Sequence, residues 1–378
     1  MKIFFYNDPQ QAFGGAESYW HDTAFFLRAA GVAVHQFSFK QPTSKVSAFF
    51  SKKHSIEQFL RAIEHFEPDI VHLNKNLLFA ASIHKALKSI RVPVVSTVHD
   101  YHTIPFATNT RNRFKLWVYP FRRCATTHII PSLTYFNHLK NNNISDIHHI
   151  PHFIHSGEWA FNSRYNVHGK KLLYVGRLEK QKGIWTLLDA LRILLKKDTG
   201  IHLSVIGQGN EAARIRRFVA RQRLDSYVTL VGEKPRHELL HDFHCSTLLV
   251  MPSLKDEMFG LAGLEAQASG LPVLASNLSG IREWCRHAES GWMVRPGDAA
   301  ILATEIEYLL ERPDLRETIR YQARQQVIAG FPPETSIQAL IGLYRQLSGA
   351  DINKMQIAPT LLHSCSPAVA SKSDKIIL

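Results

Sequence analysis

The pattern that most limits what this chain can fold into is a strand–helix alternation that runs along it twice. In the first half, short apolar runs at Ile3–Tyr6, Val32–Phe39, Asp69–Leu73, Pro93–Val98 and Thr127–Ile130 read as strands. Between them, apolar residues recur at helical spacing over Gly15–Ala30, Ser55–Phe66, Leu77–Ile90 and Ser132–Lys140. Short apolar runs suit strands covered on both faces, and the helices supply the crossovers that parallel strands need. The rhythm breaks from Ile150 to Lys170, where Pro151, Gly157 and Gly169 stand among polar and aromatic residues, as in an interdomain linker. It resumes with strands at Lys171–Val175, His202–Ile206, Val228–Val231, Thr247–Met251 and Pro272–Ala275, separated by helices such as Ile184–Lys197 and Glu211–Gln222. After Asp298 only helical patterns remain. A chain of 378 residues exceeds one comfortable core. The expectation is an α/β protein of two Rossmann-like, doubly wound parallel-sheet domains, residues 1–160 and 161–347, the second ending in helices. Residues 348–378 show no period and are expected to be disordered.

Charge narrows the class of partner. The formal net charge is +13, which favours phosphate-bearing ligands. It is spread along the chain, with no basic stripe carrying stacking aromatics, so a non-catalytic nucleotide- or nucleic-acid-binding protein is the weaker reading and no nucleic acid is expected. The four cysteines lie far apart without metal-ligand spacing, which argues against a zinc site or a disulfide framework and fits a reducing cytoplasm. The apolar run at the N-terminus is too short for a signal peptide, and no stretch is long enough to span a bilayer. The basic and aromatic segment Arg111–Tyr119 reads either as a contact with an anionic membrane or lipid-linked acceptor, or as an amphipathic helix packed on the first sheet.

Several strand ends carry chemistry. Asn7 to Glu17 runs from a strand through Gly14 and Gly15 into a helix, either as an anion-binding helix start or as a tight turn without a ligand. Lys171 to Gly183 delivers Arg177 and Lys182 to a strand end, where they suit a diphosphate or form a solvated basic loop. Val205 to Glu211 holds Gly207 and Gly209, an incomplete dinucleotide fingerprint. The segment Pro252 to Val273 weighs most. Glu257 lies in a loop, Phe259, Gly260 and Leu261 open a helix whose amides suit phosphate, and Glu265 follows eight positions after Glu257, where a carboxylate can take both hydroxyls of a ribose.

The spacing Glu257-x7-Glu265, together with Gly14-Gly15, Gly176-Arg177 and Lys182-Gly183, resembles the family-four group of retaining GT-B glycosyltransferases. The likeness extends over residues 1–347 and includes Ser279–Glu283 and Gly291–Asp298. It implies a GT-B fold, in which the two domains face each other across a cleft. It further implies that Arg177 and Lys182 hold the donor diphosphate, that Glu265 holds the ribose, that Glu257 faces the transferred sugar and that Gly15 lines the diphosphate from the other domain. Similar enzymes place a histidine beside the scissile bond at the end of a first-domain strand, which here is His99 in Thr97-Val98-His99-Asp100-Tyr101. The implied chemistry is front-face sugar transfer from a nucleotide-diphosphate sugar to a glycan or lipid-linked acceptor, with no metal and no cofactor. Cell-surface polysaccharide or lipopolysaccharide synthesis, at the inner face of the plasma membrane, is the expected setting. A GT-B nucleotide-sugar epimerase or a sugar-phosphate synthase would share the fold and the diphosphate chemistry. The chain departs from the family at Ile150-Pro151-His152-Phe153, where an asparagine-glycine turn is common, and at Gly280, which stands alone where two glycines are common.

Overall fold

The computed structural model describes residues 1–7, 14–39, 45–75, 83, 86–87, 90–99, 125–163, 165, 169–255 and 257–349. Residues 8–13, most of the helix expected over 77–90, the Arg111–Tyr119 segment and residues 350–378 lie outside the described residues.

The first unit contains β1 (Lys2–Asn7), α1 (Gly15–Ala29), β2 (Ala33–Ser38), α2 (Lys45–Phe66), β3 (Ile70–Lys75), β4 (Val94–Thr97), β5 (Thr127–Ile130), α3 (Leu133–Asn141) and β6 (Ile147–His149). The second contains β7 (Lys171–Val175), α4 (Ile184–Leu194), β8 (His202–Ile206), α5 (Ala212–Arg221), β9 (Val228–Gly232), α6 (Leu239–His244), β10 (Leu248–Met251), α7 (Leu261–Ser269), β11 (Val273–Ser276) and β12 (Trp292–Val294). Three helices follow: α8 (Ala299–Leu310), α9 (Pro313–Gly330) and α10 (Pro333–Ser348). The strands form two six-stranded sheets, ordered β2-β1-β3-β4-β5-β6 and β12-β11-β10-β7-β8-β9. Every pairing is parallel. The fold is thus the two-domain α/β arrangement expected from the alternation.

Burial follows position in the sheet. The inner strands β4, β5, β10 and β11 are buried along their whole length, whereas the edge strands β2 and β9 are partly open. This is why the inner strands read as unbroken apolar runs. β6 and β12 were not foreseen. Each has three residues, too few to show a period.

The closing helix does not stay where the sequence reading groups it. Ile337, Leu340, Ile341 and Tyr344 of α10 pack on the first sheet against Ile3, Phe5, Trp20, Ile70 and Val95. The Tyr344 hydroxyl lies 2.5 Å from His72 Nδ1, and Thr97 Oγ1 lies 2.7 Å from His72 Nε2. The chain therefore crosses between the units twice, once through residues 150–170 and once before α10. The two crossings touch: the Ile154 amide donates to the Phe331 carbonyl at 2.9 Å, and Ser336 Oγ donates to the Pro151 carbonyl at 2.9 Å.

Polar and apolar contacts hold the two sheets' carboxyl edges together. Glu283 accepts hydrogen bonds from Ser132 Oγ at 2.6 Å, from the Leu133 amide at 2.9 Å and from the Thr134 amide at 3.0 Å. A second-domain carboxylate thereby satisfies the open amides at the start of α3, where the helix dipole also favours negative charge. Beside it, Met258 enters a small core with Val98, Ile130, Tyr135 and Leu139 of the first unit.

Candidate active site

On the first-domain side, three asparagine and histidine side chains are linked at the strand ends. Asn74, at the end of β3, donates to Asn7 Oδ1 at 2.9 Å and to the Ala16 carbonyl at 2.8 Å. Its own Oδ1 lies 2.8 Å from His99 Nε2, so the buried asparagine fixes the imidazole just past β4. His99 stacks on His152, with ring centroids 5.4 Å apart and planes 9° from parallel, and meets the edge of Tyr19 at 5.4 Å. His152 in turn contacts Phe259 edge-on at 5.1 Å. One run of rings thus joins His99 to the start of α7 in the other domain.

His152 is 3% exposed, and among the described residues its Nδ1 has no hydrogen-bond partner. Burial holds both His152 and His72 neutral, pulling each down to about 3. Unfolded, each would take a proton below its ordinary 6.5, while the folded form would not. Their contribution to stability is therefore whole above that value and falls as pH drops, by about 1.4 kcal/mol per pH unit for each histidine. Urea unfolding between pH 7.5 and 5 should show the decline, and His152→Gln should flatten it. Equal slopes for the two proteins would contradict this reading.

The second domain supplies the charged groups. Lys182 Nζ contacts both oxygens of Glu257, at 2.6 and 2.7 Å, and Ser253 Oγ donates to Glu257 Oε2 at 2.9 Å. Lys182 reaches Glu257 because the chain turns at Gly183 with φ 71°, pressed against the loop that follows β10. Arg177, whose side chain is 54% exposed, pairs with Glu179 at 2.9 Å beyond the end of β7. Gly209 follows β8, and a β-carbon added there would stand 2.5 Å from the Leu178 carbonyl oxygen, so only a glycine fits that position. Gly260 is the N-cap of α7 in a left-handed conformation, φ 85°, and Leu261 is the first helical residue. Phe259 is 2% exposed, and its ring packs on His152 and Phe331 while its carbonyl accepts from Trp284 Nε1 at 2.5 Å. A β-carbon added at Gly15 would stand 3.3 Å from Leu261 Cδ1. The two helix starts, α1 and α7, therefore meet across the cleft with both amino ends at the strand edges.

Glu265 lies one turn further into α7 and is 5% exposed. Burial raises its pKa, and the Arg236 guanidinium opposes that shift. Arg236 Nε donates to Glu265 Oε1 at 2.9 Å, and Nη1 donates to Asp22 of α1 and to Glu158 of the linker, each at 2.8 Å. Its guanidinium also lies 5.1 Å from the Trp159 ring centre. Asp22, His155 and Glu158 have the ligand spacing of a small metal cluster, but this guanidinium already neutralises two of the three.

All ten expected residues therefore lie at the facing carboxyl edges or on the helices that leave them. The structure pairs Lys182 with Glu257 directly, brings Gly15 to Leu261, and links His99 to Phe259 through His152. Arg177 stands further out on its loop. Asn74, His152, Ser253 and Arg236 were not singled out from the sequence. Asn74 carried the one usable signal, a polar residue immediately after an apolar strand run.

Comparison with known proteins gives this cleft its chemistry. A model described as Glycosyltransferase Family 4 matches residues 13–157, and one described as Glycosyl transferases group 1 matches residues 156–326. Together they cover residues 13–326, which hold the whole second sheet and every strand of the first except β1. The chain belongs to the group 1 glycosyltransferases. Similar proteins include glycogen synthase of Mycobacterium tuberculosis, 28% identical over 74% of this chain and 69% of the relative. The amylovoran biosynthesis glycosyltransferase AmsK of Erwinia amylovora is 36% identical over 35% of this chain and 34% of its own. Among solved structures, sucrose-phosphate synthase from Thermosynechococcus elongatus shares the fold with a TM-score of 0.77, at 22% identity over 93% of this chain and 100% of that one. Anabaena HepE, solved with UDP and glucose, shares it with a TM-score of 0.72, at 18% identity over 91% and 99%. This group 1 glycosyltransferase has the GT-B fold that the motif resemblance implies. No helix among its described residues is long and apolar enough to cross a membrane.

Proposed function

We propose that this glycosyltransferase moves a hexosyl unit from a uridine diphosphate sugar to a glycan or lipid-linked acceptor, with retention of anomeric configuration and without a metal ion. The reading is carried by the Lys182–Glu257 pair at the start of α7, opposite Gly15. Donor diphosphate entering between the helix starts draws Lys182 from Glu257, and Arg177 swings in from its loop. The freed Glu257 then accepts hydroxyls of the sugar, and Glu265 accepts those of the ribose. The sugar C1–oxygen bond to phosphate breaks as the acceptor oxygen bonds C1 from the same face. The acceptor proton passes to the departing phosphate oxygen, whose charge Lys182, Arg177 and the α7 amides stabilise. His99, oriented by Asn74, stands beside the transferred sugar.

Uridine is favoured because the HepE structures contain UDP or UDP-glucose. A polysaccharide or lipopolysaccharide product, made at the inner face of the plasma membrane, is favoured by the likeness to AmsK, a glycosyltransferase of amylovoran biosynthesis, and by the net charge of +13. A thermal-shift series with UDP, GDP, ADP and CMP tests the donor. UDP at a hundred times its Kd is expected to stabilise the protein by about 2.7 kcal/mol, with Arg177→Ala losing most of that at the same concentration. Stabilisation by DNA or anionic lipid but by none of the nucleotides would replace this reading with that of a basic binding protein.

A further inference from the structure

Arg236 meets three carboxylates at once, and nothing in the reaction outlined above uses it. It stands in the loop after β9, yet its partners come from α1, from the linker and from α7. We propose that Arg236 is the positioning residue of the donor ribose site: it holds Glu265 as an ionised carboxylate with one oxygen turned to the ligand. The proposal rests on the reading of Glu265 as the ribose ligand.

Three observations support it. Arg236 engages only Oε1, and among the described residues Oε2 accepts no hydrogen bond, which leaves it for a ligand hydroxyl. Glu265 is nearly enclosed, so without a cation it would tend to take a proton, and a protonated acid accepts hydroxyls poorly. Arg236 itself is pinned: Asp22 and Glu158 hold Nη1 and Trp159 lies across its face, so the guanidinium cannot turn away from Glu265. Burial alone would lower its pKa, but the three carboxylates outweigh that and keep it charged. A lysine offers a single point of contact and could not reproduce this fork.

The test is a comparison of Kd values by calorimetry for UDP, 2′-deoxy-UDP and 3′-deoxy-UDP. Wild type is expected to bind UDP at least about tenfold more tightly than either analogue, because each lost hydroxyl forfeits a hydrogen bond to a charged group. Arg236→Met should still bind UDP, more weakly, with that preference reduced to about threefold or less. Should three carboxylates without a cation prevent folding, Arg236→Met/Asp22→Asn removes one of them and is measured in the same way. A folded Arg236 variant that keeps the full preference overturns the proposal. Wild type that binds UDP and its analogues equally removes the ribose reading of Glu265, and the proposal with it. A general loss of structure would weaken all three ligands alike and leave their ratio unchanged.

Discussion

Lys182→Ala is expected to lower kcat for donor-dependent UDP release by about two to three orders of magnitude, with a much smaller change in donor KM. Charge on the leaving diphosphate grows as the sugar bond breaks, so a cation there does more for the transition state than for the bound donor. Lys182 is placed for this by the turn at Gly183, and Glu257 holds it with contacts of 2.6 and 2.7 Å. Its removal also strips the ammonium from Glu257, whose side chain is only 13% exposed. Lys182→Arg should recover only part of it: its fork can also meet both oxygens of Glu257, but the guanidinium is broader than the compact ammonium and stays paired with the carboxylate. Steady-state kinetics on the three proteins would show this. A loss of less than tenfold in kcat for Lys182→Ala would mean that the diphosphate is stabilised elsewhere.

Gly183→Ala is expected to be nearly as damaging, by a different route. At φ 71° a side chain is strained by about 1–2 kcal/mol, and here a β-carbon would also lie 1.7 Å from the Pro252 carbonyl oxygen. That oxygen is backbone, so the loop from Pro252 to Glu257 must shift. Such a shift separates Ser253 and Glu257 from Lys182. A stability loss of about 3 kcal/mol or more, lowering Tm by roughly 5–10 °C, should accompany near-complete loss of activity. Calorimetry and the same kinetic assay read both effects. A variant that melts with wild type and keeps its activity would show that the approach to Pro252 is not what sets the pair.

Much of this architecture could be read from periodicity, because parallel strands buried on both faces are unbroken apolar runs and their helices repeat at helical spacing. The positions of Lys182, Glu257 and Glu265 were legible for a related reason: each stands just past a strand end or on the helix that leaves it, so sequence order alone sets its place on the sheet edge. What escaped depends on contacts between segments far apart in the chain. Arg236 meets Asp22, Glu158 and Glu265 at separations of 214, 78 and 29 residues, and nothing in the loop Gly232–Arg236 marks it among the other basic residues. Glu283 reads as one more charged residue until α3 is set against it. The Ile150–Phe153 segment departs from the family pattern at the position where His152 joins the two domains, and the sequence shows the departure but not its contact. The return of α10 to the first sheet follows from an apolar face that either domain could have covered.

The reaction proposed for this cleft is sugar transfer with retention, assisted by its own cations. The most direct measurement is proton NMR of the first sugar released from UDP-α-hexoses by water acting as a slow acceptor, in the presence of a chelator and before mutarotation. The α-anomer, formed by wild type and not by Lys182→Ala, is the predicted result. Release of the β-anomer, or release that requires added magnesium or manganese, would contradict the account.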